Sequence, residues 1–340
     1  MAGTAKRKRL VELDALRGLA ACAVLLFHYT WRVHAMMPQA PTIPYGLPWG
    51  SYGVHLFFAI SGFVIFMTLE RTRTGLDFAV ARFARLYPAY WMGILVTTLA
   101  VHLLDASAFA QPAQIVAANI TMLQGFAYLP SVDGVYWSLT VELAFYLCML
   151  ALWRARLLGR IEAVLLGWIA LRGLWWLVPA LPSRLGILLA LEYIPFFAIG
   201  IAAFRVREGT RSWRQQVPLL AMGLAVTALA GTRGDVITFC LVAIIFVELI
   251  AGRLGFLGQP VLLWLGAMSY PIYLVHQVMG YVILARLGAM GVSPWLALVV
   301  AVAVAVGVAQ LIHSFVEKPA HTAIPAALRR WQERKLRLAG

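Results

Sequence analysis

The sequence predicts an all-α fold: a polytopic integral membrane protein of about ten transmembrane helices with both termini on the cytoplasmic side. Three observations carry this expectation. Of 340 residues, 62% are hydrophobic and 12% charged, and the mean hydropathy of +0.82 lies far from soluble domains. Ten windows approach the length of about 20 mostly apolar residues that a spanning helix needs. Lys and Arg alternate sharply in abundance from one connection to the next.

The windows run over 12–31, 51–69, 86–104, 134–152, 161–178, 185–204, 216–231, 235–251, 261–284 and 294–315. The seventh and eighth are joined only by "AGTRGD", a very short connection. With the N-terminus inside, 22 of the 28 Lys and Arg fall on the inner side, beginning with Lys6, Arg7, Lys8 and Arg9. Outer loops hold only Arg32, Arg184, Arg233 and Arg286, while Arg17 and Arg172 lie at or within spans. The net charge of +14 therefore reports orientation rather than a nucleic-acid partner. The outer segments 33–49 and 105–133, the first rich in proline and the second without Lys or Arg, are expected to form rims or lids.

Cys22, Cys148 and Cys240 sit in apolar runs without the spacing of a disulfide framework or a zinc site, so no metal is expected. The basic N-terminus precedes an apolar run that is long and lacks a small-residue cleavage site, and it is expected to be retained as the first span. No inverted repeat is evident, and 1–340 reads as one integral domain. Its tail, 320–340, is basic and amphipathic, suited to an inner surface of anionic lipid.

Ionisable residues within spans are costly, so they direct attention to a site. Arg17 and His28 are eleven apart, about 20° beyond three full turns, and so share one helix face about 16 Å apart along the axis. In "YWSLTVELAFY", Ser138, Glu142 and Tyr146 recur at i, i+4 and i+8, and counting from the outer end sets Glu142 near the depth of His28 as an orienting carboxylate. "FFAISGF" puts Ser61 and Gly62 mid-span, open either to close helix packing or to backbone contact with a ligand. "RFARLYPAYW" places Arg82 and Arg85 on one face, able to clamp phosphate or simply to anchor the inner surface. "LEYIPFF" and "SYPIYLVHQ" add Glu192, Tyr270, Tyr273 and His276, with Pro195 and Pro271 suggesting broken helices that line a cavity. Arg172 and Glu248 have no supporting pattern, and His313 joins the candidates without an assigned role.

Taken in order, Arg17-X10-His28, "FFAISGF", "RFARLYPAYW", "WSLTVELAFY" and "SYPIYLVHQ" resemble the acyltransferase 3 family of integral membrane acyltransferases, from about Leu13 to "EKP" at 317–319. The resemblance implies transfer of an acyl group, often acetyl from acetyl-CoA, to hydroxyls of surface carbohydrates such as lipopolysaccharide O-antigen or exopolysaccharide, in the bacterial inner membrane. It implies functional roles for Arg17, His28, Arg82, Arg85 and Glu142. Some members carry an added esterase-like domain outside the membrane. The sequence shows none, which leaves acceptor choice to the outer loops or to a partner protein.

Residues and resemblance together give an expected mechanism. Arg17, Arg82 and Arg85 hold the donor's phosphates on the inner side, with Ser61 in the donor-binding set as a candidate oxyanion stabiliser. His28, oriented by Glu142, is the general base on the acceptor hydroxyl, with an acyl-histidine relay as its variant. A proton-coupled transporter, with His28 and Glu142 as proton relay, and a non-catalytic scaffold are the competing classes.

Overall fold

The computed structural model describes residues 10–38 and 40–339, with side chains to 334. The basic stretch Lys6–Arg9 on which part of the orientation argument rests lies outside the described residues. All regular structure among the described residues is helical. Five helical segments are long and apolar enough to cross a membrane: Glu12–Met36, Pro48–Arg71, Gly75–Leu103, Gly134–Arg154 and Pro294–Arg334. Pro260–Val275 and Gln277–Ala289, bent by 73° at one residue, form a sixth if taken as one broken span.

We label the principal helices α1 (Glu12–Phe27), α2 (Gly53–Arg71), α3 (Gly75–Leu103), α4 (Trp137–Arg154), α5 (Ile161–Leu177), α6 (Ile194–Arg207), α7 (Trp213–Ala230), α8 (Arg233–Ile250), α9 (Pro260–Val275), α10 (Gln277–Ala289), α11 (Pro294–Ile312) and α12 (Lys318–Ala339). The short "AGTRGD" connection does separate two helices. Thr232 and Asp235 cap α8 reciprocally, with the Thr232 N–H donating to Asp235 Oδ2 at 2.7 Å, so two residues suffice to reverse the chain.

Three expected boundaries move. Instead of beginning at 86, α3 begins at Gly75, where Thr74 Oγ1 accepts from the Asp77 N–H at 3.2 Å, and it passes through Pro88. Arg82 and Arg85 therefore belong to the spanning helix rather than to its approach. The 185–204 window splits into Arg184–Leu188 and α6, because Ala190 adopts a left-handed conformation (φ 47°) and Pro195 sits in the first turn of α6. In the ninth window the break falls at His276 and not at Pro271. There the Tyr29 hydroxyl donates to the His276 carbonyl (2.8 Å) and Asp133 Oδ2 accepts from the Val278 N–H (3.1 Å), so outside side chains serve the backbone at the bend.

The tail is helical and continuous with the last span. A π turn over His313–Glu317 carries α11 directly into α12, which lies along α3 with Gln332 donating to Asp77 at 3.3 Å. A second π turn, His28–Arg32, extends α1 to the helical turn Val33–Met36. Such turns re-aim the side chain that opens them. The outer segment 105–133 folds as short helical turns around the buried Asn119, whose side chain ties Ile115, Pro130 and Val132 together.

Helices α1 and α9 run side by side in parallel. A Cβ on Gly18 would stand 2.7 Å from the Gly266 nitrogen, and one on Gly266 would overlap the Asp14 carbonyl. Gly62 of α2 and Gly200 of α6 make a similar seam, facing the Phe197 and Ala59 carbonyls. Gly62 of "FFAISGF" thus serves packing, while Ser61 beside it faces a cavity. Substituting Gly266→Leu is expected to force α1 and α9 apart, lowering thermal stability by the equivalent of about 1–3 kcal/mol. A melting curve in detergent unchanged from the parent would disprove the seam.

Candidate active site

One cavity gathers most of the singled-out residues. It encloses about 90 Å³ of space among these side chains. Arg17 of α1, Ser61 of α2, Arg82 and Arg85 of α3, and Glu142 of α4 all line it. Tyr146, Tyr270, Tyr273, Ser138 and Ser269 complete its polar surface, between apolar walls that include Val54, Phe57 and Leu139. Helical periodicity alone explains the grouping within α4, because Ser138, Glu142 and Tyr146 repeat every fourth residue.

The three guanidiniums are differently committed. Arg85 is paired with Glu317, a 2% exposed carboxylate that also takes His313 Nδ1 at 2.7 Å. Arg17 Nη1 lies 3.4 Å from Asp14. Arg82 packs against Phe78 and Tyr146, 5.8 and 5.9 Å to the ring centroids, and its Nε makes no hydrogen bond among the described residues. With Glu142 the only carboxylate in the lining, the cavity suits an anionic ligand at its guanidinium end.

His28 pairs with His276 and not with Glu142. His276 is fully buried, and its Nδ1 faces the Tyr273 and Ile272 carbonyls at 2.9 and 3.2 Å, so that nitrogen carries its proton and Nε2 holds a lone pair. His28 Nδ1 lies 3.1 Å from His276 Nε2 and 2.8 Å from the Val24 carbonyl. With acceptors at both contacts, His28 Nδ1 must be the protonated nitrogen, which leaves Nε2 as the free base. The His276 ring stands 5.7 Å from that of Tyr273, linking the imidazole pair to the cavity.

Glu142 instead accepts from Ser61 Oγ at 3.0 Å and from the Tyr146 hydroxyl. The expected equality of depth fails because α4 starts well inside the fold. Asp133, just before it, is buried and bonded to Val278 beside His276, and Glu142 is nine residues, about 13 Å, further along. Counting from the outer end assumed that the helix began at the surface.

A model of the acyltransferase domain, acyltransferase 3, matches residues 10–314. The chain belongs to the acyltransferase 3 family. This acyltransferase is 29% identical to nodulation protein 10 of Rhizobium leguminosarum bv. viciae, over 91% of its own length and 92% of the relative's. It is 28% identical to the acyltransferase MdmB of Streptomyces mycarofaciens over 55% of its own chain and 46% of that protein. No solved structure matches it significantly. Membership implies an acyl donor, and the residues present fit one bearing phosphates and a thin acyl-carrying arm: the guanidiniums, Arg82 Nε above all, and a narrow passage.

Two pairings at the site have little or no signal in the sequence. Glu317 was visible only as part of "EKP", although His313 four residues earlier predicts a side-chain pair on a helix. His276 was visible, but its pairing with His28 joins positions 248 apart and has no local signature. Arg172 meets the Ala230 carbonyl at 2.9 Å, and Glu248 pairs with Arg253 at 3.0 Å. Replacing Glu317→Gln is expected to lower the melting temperature, since removing one partner of a buried pair costs about 3–5 kcal/mol. A double-mutant cycle with Arg85→Met should show a coupling above about 0.5 kcal/mol, and additive effects would dissolve the pair.

Proposed function

We propose that this acyltransferase moves an acetyl group from acetyl-CoA on the cytoplasmic side to a hydroxyl of an extracytoplasmic carbohydrate, such as O-antigen or exopolysaccharide, in a bacterial inner membrane. The reading rests on one observation above all: a narrow cavity with guanidiniums at one end and, beyond Tyr273 at the other, a paired imidazole with a free ring nitrogen. Ten crossings with both termini cytoplasmic would put the guanidinium end inside, a reading supported by the excess of Lys and Arg in the inner connections even with Arg82 and Arg85 set aside as part of a span. α9 and α10 then count as one broken crossing, and Arg184–Leu188 with α6 as another.

Acetyl-CoA supplies an activated acetyl thioester when bound. Arg82, Arg17 and Arg85 hold its phosphates, with Arg82 contributing most because no carboxylate pairs with it among the described residues. At the far end, His28 Nε2 would take the proton of the acceptor hydroxyl as its oxygen attacks the thioester carbonyl; the carbon–sulfur bond breaks, the coenzyme A thiolate leaves with that proton, and His28 returns to the neutral form. His276 is a positioning residue: its Nε2 holds the His28 Nδ1–H, fixes the tautomer and receives the stronger hydrogen bond once His28 is protonated. Glu142 acts among the arginines as a counter-charge, with Ser61 and Tyr146 fixing it in the donor passage.

His28→Ala should lower acetyl transfer in vesicles by about 10²- to 10⁴-fold while coenzyme A still raises the melting temperature. Parent-level transfer would remove the base. His276→Ala should reduce kcat with little change in the acetyl-CoA KM, and His276→Gln, which keeps an acceptor, should restore part of it; a change confined to KM would end the positioning role. Arg82→Met should raise the acetyl-CoA KM about tenfold or more with acceptor KM unaltered, whereas equal shifts in both would remove its donor role.

A further inference from the structure

A second cavity, outside the site just described, opens between α2, α5, α6, α7 and α8, with about 290 Å³ of space. His55, Arg172, Glu192, Tyr193 and Asp235 line it, along with the half-exposed Trp176. Its polar groups are held in place yet keep hydrogen-bonding capacity that the protein does not use. Arg172 is 6% exposed; Nη2 donates to the Ala230 carbonyl at 2.9 Å, its guanidinium packs against Trp175 and Trp176, and Nη1 makes no hydrogen bond among the described residues. His55 Nε2 lies 3.3 Å from Asp235 Oδ1, so this nitrogen carries the proton and Nδ1, also without a hydrogen bond among the described residues, is an acceptor.

Glu192 and Tyr193 line this cavity and also an adjoining one of about 340 Å³, walled by Trp137, Trp175 and Tyr128. The two cavities therefore share a boundary, and together they present aromatic faces beside donors and acceptors. Two carboxylates stand against one guanidinium, which disfavours an anion. Flat apolar rings with hydroxyl-matching groups of both kinds favour a neutral polyol, and two adjoining compartments favour a chain of ring-sized units.

The location also fits an acceptor. The Phe58 ring packs on Tyr193 at 4.6 Å and lines the donor cavity, so the two sites abut across one side chain. α2 begins beside the last turns of α1 before His28, with Gly50 against Ala23 and Gly53 against Ala20. We propose that the paired cavities around Glu192 and Tyr193 are a binding groove for successive neutral sugar units of the carbohydrate acceptor, with Arg172 and His55 reading hydroxyls and Trp176 stacking on a sugar face. The proposal rests on the acyltransferase reading for the word acceptor, but binding itself does not depend on it.

The test uses the full-length protein in nanodiscs on an array of neutral, uronic-acid-containing and phosphorylated oligosaccharides, with phosphatidylglycerol vesicles as a competitor. The parent protein should bind at least one neutral class. Trp176→Ala, at a half-exposed position, and the isosteric Glu192→Gln should each weaken that binding about tenfold while coenzyme A still raises their melting temperature, which shows that they are folded. Binding only to phosphorylated or uronic glycans, loss of binding to the lipid competitor, no glycan binding, or parent-level binding by both variants would each overturn the groove. Glycan binding by a protein that coenzyme A does not stabilise would overturn the donor reading and leave the groove standing.

Discussion

The candidate site depends on the backbone-to-backbone seam between α1 and α9. Gly18 meets Gly266, and ten residues further along each segment His28 meets His276, so the two helices keep one parallel register over about 15 Å. Side chains larger than hydrogen at the seam would separate the axes, and a separation of a single ångström would break a 3.1 Å contact between imidazoles. Tyr29 ties the far end, packing on Gly280 while donating to the His276 carbonyl. Close packing of small residues is the available adhesive in a bilayer, where burying apolar surface between helices gains little over lipid.

From that register follows a separation of charge from chemistry. The guanidiniums and Glu142 occupy one end of the cavity, and the imidazole pair stands beyond the other, with Tyr273 and Ser138 between. Each arginine is compensated differently: Arg85 by Glu317, Arg17 by Asp14, Arg82 by aromatic faces. Because the cost of burying a cation falls when a ligand brings opposite charge, the least compensated arginine gains most from a phosphate-bearing donor. The π turn at His28 and the break at His276 set both rings at the same place, and side chains from 29 and 133 serve the backbone around the break.

The paired cavities extend the arrangement. The proposed donor passage and the proposed acceptor groove lie on either side of α2, whose Ser61 and Phe58 line the first cavity and whose His55 lines the second. The α2–α6 glycine seam fixes this helix as the α1–α9 seam fixes His28, so the same packing device positions both sides of the transfer.

By itself the sequence determined the helical, membrane-embedded character, the separation of α7 from α8, and which residues share a face within one helix: Ser138 with Glu142 and Tyr146, and Arg82 with Arg85. These are legible because composition and a 3.6-residue period are local properties of the chain. Only the tertiary structure decided that Glu142 meets Ser61, 81 positions away, that Glu317 meets Arg85, 232 away, and that His28 meets His276. A helical period gives the direction of a side chain around its own axis, but not the depth at which the helix starts or the neighbour it faces. Here those are set by glycine contacts, a buried Asp133 and a carboxylate on a π turn, each joining segments far apart in the chain.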